Sequence, residues 1–298
     1  MHWTTKTAAV AGTTLAALGL TVWALAARTE ADIRAHHAAV AQAGHASPSS
    51  ALLLGPGRQP VADWASLPPP VQRYFAFAFR SAPPLLAHVE MQMQGQFRRP
   101  RTQAFTPTTA SQTVATGTPA MMFAATTQVL PGVWARAYDA YVGGRMEMKA
   151  KLMSAVALVD EKSSPELDRI SLRRWLLESP LYPMALLPGG PVRWEAMDAQ
   201  RARAVVSYMG ISASLVATID AQGRLLSFDA EADGDLNTPY HGSGEHAARS
   251  DYQAVDGVMV PMGFVIGRAA GGKVYPFWQG RITALRFVPP PAAVAALR

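Results

Sequence analysis

Hydrophobic and polar residues alternate along most of the chain beyond residue 86. Residues 89–94 read VEMQMQ and residues 146–149 read MEMK, which places the hydrophobic side chains on one face of an extended strand. The same alternation predicts strands over 135–142, 145–153, 192–196, 202–208, 211–219, 225–232, 263–268 and 280–287. Turn-forming residues at Gly143-Gly144, 220–223 and Asp256-Gly257 separate such arms, so the pattern predicts a largely antiparallel meander.

Two other segments repeat their hydrophobic residues at helical spacing. The first follows Pro69-Pro70, and its repeating side chains are Val71, Tyr74, Phe75, Ala78 and Phe79. The second begins after Ser164, an N-cap residue, and has Pro165 at the first helical position. Pro180 ends it. Both helices are expected to pack their apolar faces on the sheet.

The amino terminus has a different pattern, an uncharged run from Thr7 to Ala27. Its length of about 20 residues is enough for a helix to cross the hydrocarbon core of a bilayer. Ala24-Leu25-Ala26 also fits a signal-peptidase site, so cleavage after Ala26 is an alternative to permanent anchoring. In both interpretations the rest of the chain is exported. A third interpretation is that this run forms a buried helix of a cytoplasmic fold.

These elements divide the chain into four parts. Residues 1–27 form the anchor or signal segment, 28–63 a juxtamembrane helix and a Pro/Ser/Gly linker, 64–288 a single β-rich domain, and 289–298 a tail. The predicted fold class is α+β with mostly antiparallel strands. We expect a curved meander or incomplete barrel covered by one or two helices, with an N-terminal transmembrane helix.

Composition narrows the possible functions of this 298-residue chain. It contains no cysteine, which excludes disulfide scaffolds, thiol catalysis, cysteine-ligated zinc and a lipoprotein acyl anchor. The formal net charge is +6, but the basic residues are scattered rather than clustered. Without a basic patch, nucleic acid is not the expected partner. No motif predicts a cofactor.

Several short motifs stand in an order that resembles a bacterial domain family of unknown function. They include PPVQRYF at 69–75, DAYV at 139–142, YPMALLP at 182–188, VRWE at 192–195, DGVMVP at 256–261 and FWQGRIT at 277–283. The resemblance spans residues 64–288 and implies no activity, because the family is uncharacterised. The strand-rich pattern with an inserted helix also resembles lipoprotein carriers, in which an incomplete barrel wraps a helix; this is an analogy of fold alone.

A curved sheet covered by a helix tends to leave an apolar concavity that holds hydrophobic ligands. Five aromatic residues are candidates to line such a pocket: Trp134, Trp175, Tyr182, Trp194 and Trp278. The alternative is that they simply fill the core, since aromatic residues favour half-buried strand positions. The leading hypothesis is a single-pass inner-membrane protein whose extracytoplasmic domain binds a hydrophobic or lipid-like ligand.

Two polar segments contain residue types that could form a metal site or a hydrolase site. Residues 229–235 (DAEADGD) begin like a calcium-binding loop, but the twelfth position is Tyr240 instead of a bidentate glutamate, so we expect no metal site and favour a strand with an acidic face. Residues 240–246 hold Ser243, His241 and Glu245 without the glycine that a nucleophile elbow requires. We therefore assign no catalytic residue. An envelope hydrolase using this loop and a non-catalytic envelope scaffold or interaction protein remain the alternatives.

Overall fold

The structure is a computed structural model that describes residues 2–49, 64–99, 102–234 and 244–291, with the side chains of residues 2–16 and 18 excepted. Three α-helices are present in these ranges: α1 (His2–Ala46), α2 (Pro69–Ala78) and α3 (Pro165–Glu178). Short 3-10 turns cover Trp64–Ser66, Ser179–Leu181 and Pro183–Leu186. Thirteen strands follow in chain order: β1 (His88–Arg98), β2 (Phe105–Ala115), β3 (Met121–Leu130), β4 (Val133–Val142), β5 (Arg145–Leu152), β6 (Val156–Lys162), β7 (Val192–Ala196), β8 (Arg201–Tyr208), β9 (Ile211–Ile219), β10 (Leu225–Asp229), β11 (Glu245–Val255), β12 (Val258–Ala270) and β13 (Lys273–Val288).

All thirteen strands belong to one antiparallel sheet, in the order β6-β5-β4-β3-β2-β1-β13-β12-β11-β10-β9-β8-β7. It consists of two meanders, β1–β6 and β7–β13, joined where β1 pairs with β13. The sheet curves strongly, since the β4–β5 turn meets the β8–β9 turn and the rings of Tyr141 and Tyr208 lie 6.4 Å apart. The predicted α+β class with an antiparallel, open and curved sheet is confirmed.

The connection between the meanders explains where the helices lie. Strands β6 and β7 are the two outer edges of the sheet, so the chain between them has to cross the sheet. It does so as α3 and the 3-10 turns, which contact strands of both meanders. This path fills the concave face with helical segments.

Both sequence-predicted helices form for the expected local reasons. Pro69 and Pro70 occupy the first positions of α2, whose buried face carries the predicted aromatic stripe. In α3 the Ser164 hydroxyl accepts a hydrogen bond from the Leu167 amide at 3.3 Å, the N-cap arrangement. Two acidic residues in its first turn, Glu166 and Asp168, complement the positive end of the helix dipole.

The predicted turns and most predicted strands are also present. Gly143 and Gly144 have φ of 60° and 77°, values that favour glycine, and they connect β4 to β5. The acidic segment differs from expectation: β10 ends at Asp229, so residues 230–233 do not extend the strand. Three strands that the alternation did not predict, β2, β3 and β6, complete the sheet, and β11 is the arm expected before the turn at Asp256-Gly257.

The segment expected as a juxtamembrane stalk lies against the convex, outer face of the sheet instead. From Thr29 onward α1 crosses β4, β3, β2 and β1, burying Ile33 and Val40 against small side chains of these strands. Glu30 forms an ion pair with Arg136 at 2.9 Å. The helix is Ala-rich on this side, and small side chains allow it to approach the sheet closely.

The first half of α1 has no such partner over residues 17–28, where Leu20, Trp23 and Leu25 are exposed. Among the residues that the structure describes, no helix combines the length and the apolar character needed to cross a membrane. The predicted transmembrane helix over Thr7–Ala27 is therefore not confirmed.

Candidate functional site

Four of the five predicted pocket residues lie on the concave side. Trp175 and Tyr182 are fully buried with ring centroids 5.8 Å apart, and Trp278 is 5% exposed in the same apolar core. Trp194 packs at the edge of that core and stacks on Phe228. These four side chains contribute to one continuous apolar region between the helices and the sheet.

The fifth residue, Trp134, does not join them. It lies on the outer face of β4, and its indole N–H donates to the Ser154 hydroxyl at 3.3 Å. The reason is the period of two along β4. Tyr138 and Ala140, an even number of residues away, contact α1 on the outer face, so Trp134 points outward with them.

The concave side is filled in this structure. Trp175 donates its indole N–H to the Ala115 carbonyl at 3.1 Å, and the Tyr182 hydroxyl donates to the Trp175 carbonyl at 2.5 Å. These bonds fix both aromatic side chains against the sheet and against each other. The predicted apolar concavity therefore exists as a surface, but α2, α3 and the 3-10 turns occupy it.

A polar group interrupts this apolar core at the carboxyl end of α3. Glu178, with 4% of its surface exposed, accepts a hydrogen bond from Gln112 and forms an ion pair with Arg174 at 2.9 Å. Arg174 also pairs with Asp139 on β4. The carboxylate that burial would otherwise disfavour thus has two partners.

Arg249 on β11 has a less complete set of partners. Its guanidinium donates to the Leu177 carbonyl at 2.9 Å, in the last turn of α3, where a cation complements the helix dipole. Its Nε has no hydrogen-bond partner among the described residues, and neither has the Tyr74 hydroxyl of α2. Burial lowers the pKa of Arg249, and the negative charge of nearby Glu178 offsets this only in part.

We call Arg249, Glu178, Tyr74, Tyr182 and Tyr252 the Arg249 cluster, because all four partners lie near enough to influence the pKa of Arg249. Burial raises the pKa of Tyr74 and of Tyr182 well above the usual value, so both hydroxyls stay protonated, and that of Tyr74 is an unused donor. A buried guanidinium and a phenol with unused donors form a site suited to an anion.

Sequence reasoning missed the Arg249 cluster. The signal was present in β11, where Ala247 and Arg249 share the buried face of a strand that ends in the predicted turn at Asp256. An arginine at a core-facing strand position is rare and points to a paired or functional charge. The contacts with α2 and α3, however, come from distant parts of the chain and are visible only in the fold.

The loop considered for hydrolysis lies mostly outside the described residues, including His241 and Ser243. Of its described members, Glu245 pairs with Arg173 at 2.7 Å, on the concave side. His246 Nδ1 lies 2.5 Å from Asp229 Oδ1 on the outer face, and Ser227 also donates to Asp229 at 2.6 Å. Burial raises the pKa of the Asp229 carboxyl, but these two bonds outweigh it and hold the pKa below its usual value. No three metal-ligating side chains meet among the residues with described positions.

Comparison with known proteins gives three results. The model of a family described as "Family of unknown function (DUF6920)" matches residues 65–287. No curated protein matches the chain. The solved structures with a similar fold include two bacterial proteins. One is a domain named for outer-membrane lipoprotein sorting from Vibrio parahaemolyticus, with a TM-score of 0.36 and 12% identity, covering 67% of this chain and 85% of that one.

The other is a LolA superfamily protein from Nitrosomonas europaea, with a TM-score of 0.38 and 7% identity, covering 76% of this chain and 94% of that one. Similarity at this level has no bearing on ligand or activity.

Proposed function

Since the chain belongs to the family of unknown function DUF6920, as its order of motifs indicated, and that family brings no activity with it, we propose a function from the interior site. The protein binds an amphipathic, lipid-like ligand with an anionic head at the concave face. The head contacts Arg249 and Tyr74, and the apolar body lies among Trp175, Tyr182 and their neighbours. The observation that carries the proposal is the pair of unused donors, Arg249 Nε and Tyr74 Oη, buried inside an apolar core.

The energetic argument starts from the cost of burying Arg249. A charge removed from water destabilises a fold by several kcal/mol unless it is paired and hydrogen-bonded. Arg174 and Gln112 already hold Glu178, and Arg249 gains one carbonyl from α3. A carboxylate or phosphate between Arg249 and Tyr74 supplies the missing acceptor through charge-assisted bonds. If packing of the core were the only requirement, an apolar side chain of similar shape would stabilise the fold at least as well as Arg249 does.

Ligand entry requires movement, because helices fill the concave face. The 3-10 turns Ser179–Leu181 and Pro183–Leu186 are the segments to displace. They connect α3 to the edge strand β7 and, unlike the strands, are not held in the sheet by a ladder of hydrogen bonds. Their displacement opens the apolar surface beside Trp175 and Tyr182.

We also propose that the domain is extracytoplasmic and that the amino-terminal part of α1 holds it at the inner membrane. The exposed Leu20, Trp23 and Leu25, on the part of α1 that leaves the sheet, support this location. Fusions of alkaline phosphatase and of a fluorescent protein after residue 298 test it. Active phosphatase and a dark fluorescent protein are expected; the reverse contradicts export, and wild-type protein in the soluble fraction contradicts anchoring.

Binding is tested with purified full-length protein. Extracted lipids are identified by mass spectrometry, and affinity is measured by displacement of a fluorescent fatty acid. We expect saturable binding that weakens at least tenfold in Arg249→Met, with Tyr74→Phe weaker by a few-fold. The matched control is Arg203→Met, which removes an arginine from an ion pair on the outer face. Copurification of no lipid, or equal affinity of Arg249→Met and wild type, would refute the proposal and favour a scaffold with a filled core.

One observation favours the hydrolase alternative. The contact between His246 and Asp229 resembles the base and orienting carboxylate of a catalytic triad. A fluorophosphonate probe tests it: labelling of wild type that is lost in Ser243→Ala and reduced in Asp229→Asn supports a serine hydrolase. Absence of labelling in wild type counts against it.

A further inference from the structure

A second, separate site lies on the outer face of the sheet beside α1. We call it the outer groove; it has a volume of about 990 Å³, and its walls include Gln94, Thr109, Thr126, Trp134, Asp251 and Arg281. Neighbouring side chains along the strands, such as Met93 and Ala110, point into the core instead. The groove and the Arg249 cluster are thus on opposite faces.

The groove is elongated across the strands. Its walls come from β4, β3, β2, β1, β13, β12 and β11, which are seven consecutive neighbours in the sheet. Six spacings of about 4.8 Å give a length of roughly 29 Å. A cleft of this length and volume suits an extended oligomer better than a single small metabolite.

The lining is rich in hydrogen-bonding groups that carry no charge. Gln94, Thr109 and Thr126 follow one another on adjacent strands as cross-strand partners or near-partners, and each presents donors and acceptors outward. The two charged groups of the groove, Asp251 and Arg281, pair with each other at 3.0 Å. At the opposite end Trp134 offers an apolar ring face, held by its bond to Ser154.

The backbone beneath the groove is shaped to keep it open. Gly263 leaves the floor without a side chain, and a Cβ there would collide with the Ser250 hydroxyl. Asp251 has φ of 54°, which is uncommon for a non-glycine residue inside a strand. Residues with a strained backbone concentrate at ligand sites, so the φ of Asp251 and the missing side chain at Gly263 both indicate a binding site.

We propose that the outer groove binds a neutral, linear oligosaccharide. Sugar hydroxyls match the amides and hydroxyls of the walls, and a sugar ring has an apolar face that fits against Trp134. A peptide fits less well because the sheet interior offers no unpaired backbone for strand addition. A nucleic acid would need unpaired cations, and a lipid chain would bury the amides and hydroxyls of the walls without partners.

The test measures binding of linear hexasaccharides of glucose and of N-acetylglucosamine to full-length protein by titration calorimetry. Thr109→Trp places a bulky side chain in the middle of the groove, at an exposed strand position that tolerates an aromatic residue. Trp134→Leu removes the ring platform. Ser207→Trp is the matched control, an exposed residue of β8 that is not part of the groove.

We expect saturable binding of at least one hexasaccharide, at least tenfold tighter than that of the matching disaccharide. Thr109→Trp and Trp134→Leu are expected to weaken it at least tenfold, whereas Ser207→Trp and Arg249→Met retain it. Absence of saturable binding at millimolar concentrations overturns the proposal, and so does unchanged affinity in Thr109→Trp. Because Arg249→Met leaves this site intact, its result separates the groove from the interior ligand site.

Discussion

We expect acid to weaken the packing of α1 on the sheet, because His37 and His88, two histidines with lowered pKa, lie at this interface. His37 contacts the Thr113 hydroxyl at 2.8 Å, and His36 lies 3.6 Å from a carboxylate oxygen of Glu147. The rings of His45 and His88 have centroids 5.2 Å apart. Two like charges at this separation would repel each other in a partly buried interface.

The pKa shifts give the direction of the effect. Burial lowers the pKa of His37, Arg136 and His36 lower it further, and Glu90 opposes them. Burial also lowers the pKa of His88, with Arg286 and His45 acting in the same direction against the hydrogen bond that His88 donates to Glu90.

Both rings are therefore neutral in the folded protein at a pH where the unfolded chain, with a pKa near 6.5, already binds protons.

The sign and size follow from proton linkage. A histidine with a depressed pKa contributes full stability above pH 6.5, and the contribution falls as pH decreases toward its folded pKa. In that window each such group lowers the free energy of unfolding by about 1.4 kcal/mol per pH unit. His37 and His88 together give a slope of up to about 2.7 kcal/mol per pH unit. Carboxylates with lowered pKa, such as Glu90 and Glu147, lose their contribution only near and below pH 4.5.

Urea unfolding between pH 5 and 7.5 measures the slope, and hydrogen exchange of the amides of residues 29–46 shows whether α1 opens first. The double substitution His37→Gln and His88→Gln is expected to flatten the slope, since neither amide binds a proton. His246→Gln, away from this interface, serves as the control and keeps at least the wild-type slope. A wild-type free energy of unfolding that is constant between pH 7 and 5, or a slope that the double variant retains, would show that these histidines do not control the stability.

Two further predictions concern the folding of the concave side. Trp175→Ala removes a fully buried ring and leaves the Ala115 carbonyl without its indole donor. We therefore expect the free energy of unfolding, measured with urea, to fall by about 3–5 kcal/mol. For Trp134→Ala we expect it to fall by less than about 1 kcal/mol. A loss under about 2 kcal/mol would mean that Trp175 is not a core residue. Ser164→Ala removes the N-cap bond to Leu167 and is expected to cost about 1 kcal/mol in the same assay, with no change for Ser164→Asp; equal stability of wild type and the alanine variant contradicts the cap.

Short segments of the sequence are enough to predict the local elements. The alternation over 89–94 and 146–149, the Gly143-Gly144 turn and the capped helix after Ser164 are properties of short segments, and each appears in the structure. The ordered motifs likewise identified the family, because they lie along the chain and need no contact to be read. The aromatic stripe of α2 was predicted together with its burial, since one face of a short helix has to cover the sheet.

The contacts between those elements depend on the complete fold. The sequence could not show that β1 pairs with β13, 181 or more residues away, or that α3 has to cross the concave face because β6 and β7 are opposite edges. The same limit applies to α1, whose polar and Ala-rich pattern suits a solvated stalk as well as the outer face of the sheet. It applies to both candidate sites too: the fold brings Arg249 near Tyr74 and places Trp134 and Arg281 along one groove, although these residues are distant in sequence. Such contacts depend on chain crossing and strand register, which no local pattern encodes.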